Sequence, residues 1–160
     1  MMYIKLTRLL FSLFLLLAGL HSFAQSGQIP PFQIIQANGK VFTARELPAG
    51  KPILIVYFSP ECDHCHTFMQ ELFKKPADIQ KASVVLITFL SVEKVRKFVA
   101  DYKMAQYPNV YTGTEGTSFF VRNHYKIREM PFTALYDKQG KLLCSYEKEI
   151  PFNQLMARLK

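Results

Sequence analysis

The stretch KPILIVYFSPECDHCHTFMQELF, Lys51 to Phe73, holds the reading on which the rest of the chain depends. Its first half is a continuous β-branched and aromatic run from Ile53 to Phe58, bounded by Pro52 and Pro60. Such a run suits a central strand buried on both faces. The second half turns helical: Cys65, Phe68, Met69, Leu72 and Phe73 fall at i, i+3, i+4, i+7 and i+8, and Pro76 reads as the close of the helix. Between them lies Cys62-Asp63-His64-Cys65-His66, which satisfies two unrelated patterns. A C-x-x-C between a strand and a helix is a dithiol redox pair, whereas C-x-x-C-H is a c-type haem attachment site. The neighbouring segments have to decide between them.

Downstream, the alternation repeats. Ser83 to Leu90 is a second apolar strand, and SVEKVRKFVADYKM carries an amphipathic helix with Ser91 placed to cap it and Val95, Phe98, Val99 and Tyr102 facing inward. A short strand after Pro108 and a helix over TEGTSFFVRNHYKI follow. The chain then reads as strand, turn at Lys138-Gln139-Gly140, strand, and a helix from Pro151. Upstream, two short apolar runs flank Asn38-Gly39, the strongest short hairpin signal. The sum is an α/β protein in layers, a mixed central sheet flanked by helices, with an N-terminal β-hairpin.

A chain of 160 residues with 49% hydrophobic content supports one domain with a proper core. Residues 1–24 have Lys5 and Arg8 ahead of an apolar run from Leu9 to Leu20 and a small-residue exit at Ser22-Phe23-Ala24. That is the layout of a secretory signal peptide, with a cut expected after Ala24. The run falls short of the roughly 20 residues that a spanning helix needs, so a cleaved leader is expected rather than an anchor. A linker over 25–31 and one domain over 32–160 complete the plan, and the mature protein is expected to be periplasmic or secreted, without stable membrane insertion.

The formal charge of +8 comes from 20 basic and 12 acidic residues, and two of the basic ones lie in the leader. The remaining 18 are dispersed, with Lys74-Lys75 the densest pair, which excludes the basic stripe of a nucleic-acid interface. The three cysteines, Cys62, Cys65 and Cys144, are a pair plus one: a poor disulfide framework and a better redox site for an oxidising compartment.

A strand feeding C-x-x-C at a helix N-terminus, the later strand EMPFTALYD with a proline near its start, a terminal hairpin and a last helix together resemble the thioredoxin fold. The leading hairpin with NGKVF, followed by LPAGKPILIVYFSPEC, is similar to exported thioredoxin-like proteins of the TlpA/ResA type. The resemblance runs from about Phe32 to Leu159. It implies a three-layer thioredoxin-like fold, a cis peptide bond before Pro131 facing the cysteine pair, and a substrate groove at Met130 and Pro131. It also implies protein thiols or disulfides and a separate redox protein as partners, with no bound cofactor required. Two departures stand out. Val56 occupies the position where thioredoxins commonly bury an acid, and Phe68 stands where a ResA-like carboxylate would follow the second cysteine. Proton handling is left to water or to Glu61, Asp63, His64 and His66.

The chemistry follows from position. A helix N-terminus favours negative charge, so Cys62, just before the first turn, is the expected attacking thiol. Cys65 begins the apolar stripe and is the expected resolving thiol. His64, as a partly protonated imidazole, would stabilise the thiolate, and C-x-H-C is similar to the motifs of protein disulfide isomerase and DsbA. Glu61 and Asp63 oppose it by placing like charge beside the thiol. The redox poise therefore stays open. His66 falls in phase with Gln70 and Lys74 on the polar side of the helix, where no apolar haem pocket is expected. The alternative use of the same thiols is metal binding, above all copper delivery. That family uses C-x-x-x-C with a distant histidine; His124 is the distant candidate here, it reads as a surface residue, and no metal ligands are assigned. Leu142, Cys144 and Tyr146 alternate onto one face, which makes Cys144 a small buried apolar residue.

Overall fold

The run Ile53–Tyr57 is a strand buried at every position in the computed structural model, which describes residues 27–159. The strands are β1 Gln33–Gln36, β2 Val41–Thr43, β3 Ile53–Tyr57, β4 Ser83–Thr88, β5 Val110–Thr114, β6 Phe132–Tyr136 and β7 Leu142–Glu147. They form one sheet in the order β2-β1-β5-β4-β3-β6-β7. β3 lies parallel to β4 and antiparallel to β6, and β4 lies parallel to β5. The outer pairs β1–β2, β1–β5 and β6–β7 are antiparallel, so the sheet is mixed as expected. A strand with neighbours on both edges and helices or loops on both faces has no wet side, which is why β3 and β4 read as unbroken apolar runs.

The helices are α1 Asp63–Phe73, α2 Pro76–Ile79, α3 Val92–Asp101, α4 Phe120–Tyr125 and α5 Phe152–Arg158. Leu54, Val56 and Phe58 face a cluster built with Cys65, Phe68, Met69 and Leu72 of α1, Phe98 of α3 and Leu155 and Met156 of α5. Ile53, Ile55 and Tyr57 face the opposite cluster, which holds Phe32, Ile34 and Phe42 of the hairpin region and Val121 of α4. Burying a side chain such as Met69 or Leu72 fully contributes about 2 kcal/mol. The amphipathic stripe of α1 thereby fastens the C-x-x-C segment to the sheet.

The Asn-Gly hairpin forms: Gly39 takes φ 82°, its N–H donates to the Gln36 carbonyl at 2.9 Å, and the Gln36 N–H donates to the Lys40 carbonyl at 2.8 Å. Gly113 of β5 permits the close approach of β1, since a Cβ there would lie 2.8 Å from the Ile35 carbonyl oxygen. Two expectations change. Pro76 does not merely end a helix but opens α2, occupying a first-turn position where its missing N–H costs nothing. The helix expected over TEGTSFFVRNHYKI contracts to Phe120–Tyr125, because Phe119 and Lys126 both adopt left-handed backbone at its two ends. In the segment read as a linker, Gln28 forms an isolated bridge with Lys141, and the Leu142 N–H donates to the Gly27 carbonyl at 2.7 Å. The expected leader and its cut after Ala24 lie outside the described residues, among which no helix is long and apolar enough to cross a membrane.

Candidate active site

β3 delivers the chain to a tight turn. The Ser59 hydroxyl accepts from the Glu61 N–H at 3.2 Å, and the Ser59 carbonyl accepts from the Cys62 N–H at 3.1 Å. Cys62 is the N-cap of α1 in extended conformation, and its Sγ accepts from the Cys65 N–H at 3.4 Å. One otherwise unpaired first-turn N–H, that of Cys65, therefore meets this sulfur, which also sits at the positive end of the helix dipole. Cys62 is half-buried, whereas Cys65 is 1% exposed. Burial first, and then its hydrogen bond to Cys62, push the Cys65 thiol up to about 12. The two sulfurs share one turn but differ in what they can meet.

Opposite Cys62 stands the loop before β6. The Met130–Pro131 bond is cis, and the Met130 carbonyl lies 3.8 Å from Cys62 Sγ. Sequence reasoning did not foresee what holds this loop. The Glu147 carboxylate, at the end of β7, accepts from the N–H groups of both Arg128 and Glu129. The Lys148 N–H donates to the Pro131 carbonyl at 2.8 Å, and Lys148 Nζ reaches Glu129 at 2.7 Å. No sequence signal marks these pairs, because they join positions 17 to 19 residues apart in a hairpin whose register is set by the sheet.

This arrangement, a half-exposed thiol at a helix N-terminus facing a cis-proline loop, stands within a region, residues 43–160, that matches the family model of the thioredoxin-like domain. The chain belongs to that family. Among curated proteins, the thioredoxin-like chain is similar to the methylamine utilization protein MauD of Methylophilus methylotrophus, with 24% identity over 115 residues. The match covers 71% of this chain, which spans about half the length of that relative. Among solved structures, it resembles a secreted Mycobacterium tuberculosis disulfide oxidoreductase homologous to E. coli DsbE. The TM-score is 0.66 at 19% identity, covering 81% of this chain and 94% of the other. It also resembles the exposed lipoprotein thioredoxin Etrx1 of Streptococcus pneumoniae, with a TM-score of 0.61 at 18% identity, covering 81% and 98%. At these identities the structural likeness speaks for the fold.

Within this thioredoxin-like frame, Glu61, Asp63 and His64 are exposed beside Cys62. Glu61 does not face the sulfur as a lone charge: its carboxylate pairs with Lys94 of α3 at 2.7 Å. Asp63 lies in the first turn of α1. Val56, at the position where the resemblance implies an acid, is fully buried, and Phe68 is 5% exposed in the core. Thr133, paired with Val56 across β3 and β6, is fully buried, and its hydroxyl has no hydrogen-bond partner among the described residues.

His66 departs from expectation. Helical phase put it on the wet side of α1, yet its ring is half-buried against Tyr102, the C-cap of α3, with the two rings stacked at 6.2 Å. Nδ1 lies 2.9 Å from the Tyr102 hydroxyl and Nε2 lies 2.8 Å from the Pro60 carbonyl. Periodicity reports which way a side chain leaves its own helix, not what a neighbouring helix brings to meet it. His124 sits exposed on α4, its ring edge-on to Tyr125. Among the described residues, no group of three or more His, Cys, Asp or Glu side chains is placed to hold a metal ion. Cys144 and Tyr146 pack against the α1 cluster, but Leu142 packs against the opposite one, because a register shift at Leu135/Tyr136 interrupts the alternation, and Cys144 is half-buried rather than buried.

Proposed function

We propose that the protein is an exported thiol-disulfide oxidoreductase that exchanges disulfides with protein thiols through Cys62 and Cys65. The observation that carries this reading is the unequal placement of the sulfurs: Cys62 Sγ is half-exposed at the α1 N-terminus, and Cys65 is buried one turn behind it. In the reducing direction the Cys62 thiolate attacks one sulfur of a substrate disulfide, forming a mixed disulfide and releasing the other sulfur as a thiolate. Cys65 then attacks Cys62 Sγ, releasing the second substrate thiol and closing a Cys62–Cys65 disulfide. The substrate gains two electrons and the protein loses two; the reverse sequence oxidises a dithiol.

Cys65 must lose its proton at the second step, against burial. Forming the mixed disulfide removes the thiol of Cys62 and its charge, which is the next contribution to the raised value, so the resolving thiol becomes easier to ionise once it is needed. Met130 and Pro131 form the groove: with the Met130 carbonyl already beside Cys62, a substrate strand would pair with this backbone and bring its sulfur to Sγ. Glu61, Asp63 and His64 tune the thiolate, with the Glu61 charge partly answered by Lys94. The layout of residues 1–24 supports export, in keeping with a fold shared with proteins described as secreted and as an exposed lipoprotein.

The test is Cys65→Ser, which leaves an attacking thiol without its resolver. Mixed disulfides through Cys62 are expected to accumulate on incubation with disulfide-bearing proteins. Absence of any trapped partner, together with stoichiometric Cu(I) binding lost in the variant, would instead favour the metal module.

A further inference from the structure

We infer that His66 is a positioning residue, which holds the turn presenting Cys62 by tying the Pro60 carbonyl to Tyr102 at the C-terminal end of α3. The consequence for exchange rests on the proposed redox reading; the geometry stands without it. Proline has no N–H, so the carbonyl is the only polar backbone group by which Pro60 can be held. It lies 2.8 Å from His66 Nε2. A carbonyl only accepts, so Nε2 carries the hydrogen, and in the neutral ring Nδ1 accepts from the Tyr102 hydroxyl at 2.9 Å. The His66 N–H also donates to the Cys62 carbonyl at 3.0 Å, so this one residue grips the turn at both Pro60 and Cys62. Tyr102 is itself braced by Phe98 and Phe73, at centroid distances of 4.5 and 5.8 Å, which keeps the imidazole from swinging away. Both ring nitrogens are committed, so the histidine of C-x-x-C-H serves as a tether between α3 and the Cys62 turn.

The tether acts through Cys62. A held turn keeps Sγ where the Cys65 N–H reaches it and where it faces the Met130 carbonyl. Loosening the turn weakens the donors that stabilise the thiolate, and hence the reduced form, so the protein disulfide becomes harder to reduce.

The experiment compares the reduced wild-type protein with His66→Phe, which keeps a ring against Tyr102 without hydrogen bonds, and His66→Gln, whose amide can still donate to Pro60. The readouts are the rate of Cys62 alkylation by iodoacetamide and the equilibrium constant with glutathione. His66→Phe is expected to slow alkylation and to shift the equilibrium toward the protein disulfide, each about fivefold, the factor one ordinary hydrogen bond is worth. His66→Gln is expected to restore most of both. Wild-type values in both variants, or equal impairment in both, would overturn the tether. Failure of the wild-type pair to cycle with glutathione would overturn the redox reading, while the alkylation rates still decide the tether. If His66→Phe does not fold, the ¹⁵N spectrum of the wild-type imidazole decides: a protected Nε2–H is expected, and rapid solvent exchange there contradicts it.

Discussion

Val56 and Tyr57 are neighbours on β3 that point to opposite faces of the sheet, and the two faces treat buried polar groups differently. On the Tyr57 side a carboxylate is buried and fully engaged. The Tyr57 hydroxyl donates to Glu115 at 2.7 Å, and the Val121 and Arg122 N–H groups donate to the same carboxylate at 2.6 and 3.4 Å. Burial, and then the bond to Glu115, push the Tyr57 phenol far above its ordinary range. On the Val56 side no such acid stands among the described residues: Cys65 lies among apolar side chains and the Thr133 hydroxyl has no partner there. A buried carboxylate that accepts from both β3 and α4 ties them together. A buried thiol whose side-chain partner is another thiol, as Cys65 is with Cys62, is held in its protonated form.

This contrast makes the effects of substitution separable. Glu115→Ala strands the Tyr57 hydroxyl and the Val121 N–H in the core, and a loss of about 3 kcal/mol is expected in urea unfolding. The rate of Cys62 alkylation per folded molecule should not change; an equal fall in both would break the separation of the faces. The next effect is on pH. Below the ordinary thiol value of 9.0, folded and unfolded chains both keep the Cys65 proton, so this contribution to stability is complete. Between 9.0 and about 12 the unfolded chain ionises and the folded one does not, so stability of the reduced protein should fall as pH rises through that window. The oxidised protein has no such thiol, and its alkaline melts should lack this component.

Thr133→Val replaces an unpartnered hydroxyl with a methyl group of similar shape, so a gain of about 1 kcal/mol is expected from denaturant unfolding. A loss instead would reveal a bonding role for this hydroxyl. The smallest effect belongs to Lys94→Ala. It opens an exposed ion pair and should move stability by no more than about 0.5 kcal/mol. By leaving the Glu61 charge unanswered, it should slow Cys62 alkylation slightly; faster alkylation would contradict that electrostatic argument.

The β3 strand, the α1 stripe and the Asn38-Gly39 hairpin were legible because each follows from a local rule of periodicity or turn chemistry. Cys62 at the helix start and Cys65 in the stripe were legible for the same reason. The cis bond at Pro131 was expected only through the family resemblance, since a proline near a strand start reads locally as a boundary. What could not be read were contacts set by tertiary register: Tyr102 and Pro60 on His66, Lys94 on Glu61, Glu147 on the loop before β6. The shortening of α4 also escaped, because helical phase over TEGTSFFVRNHYKI carries no warning of left-handed backbone at Phe119.

The most direct measurement is a glutathione redox titration with the thiols counted by mass. The account predicts one two-electron transition that joins Cys62 to Cys65 and leaves Cys144 as a thiol throughout. A protein that keeps three thiols across the whole titration, or that pairs Cys144 with either partner, would contradict it.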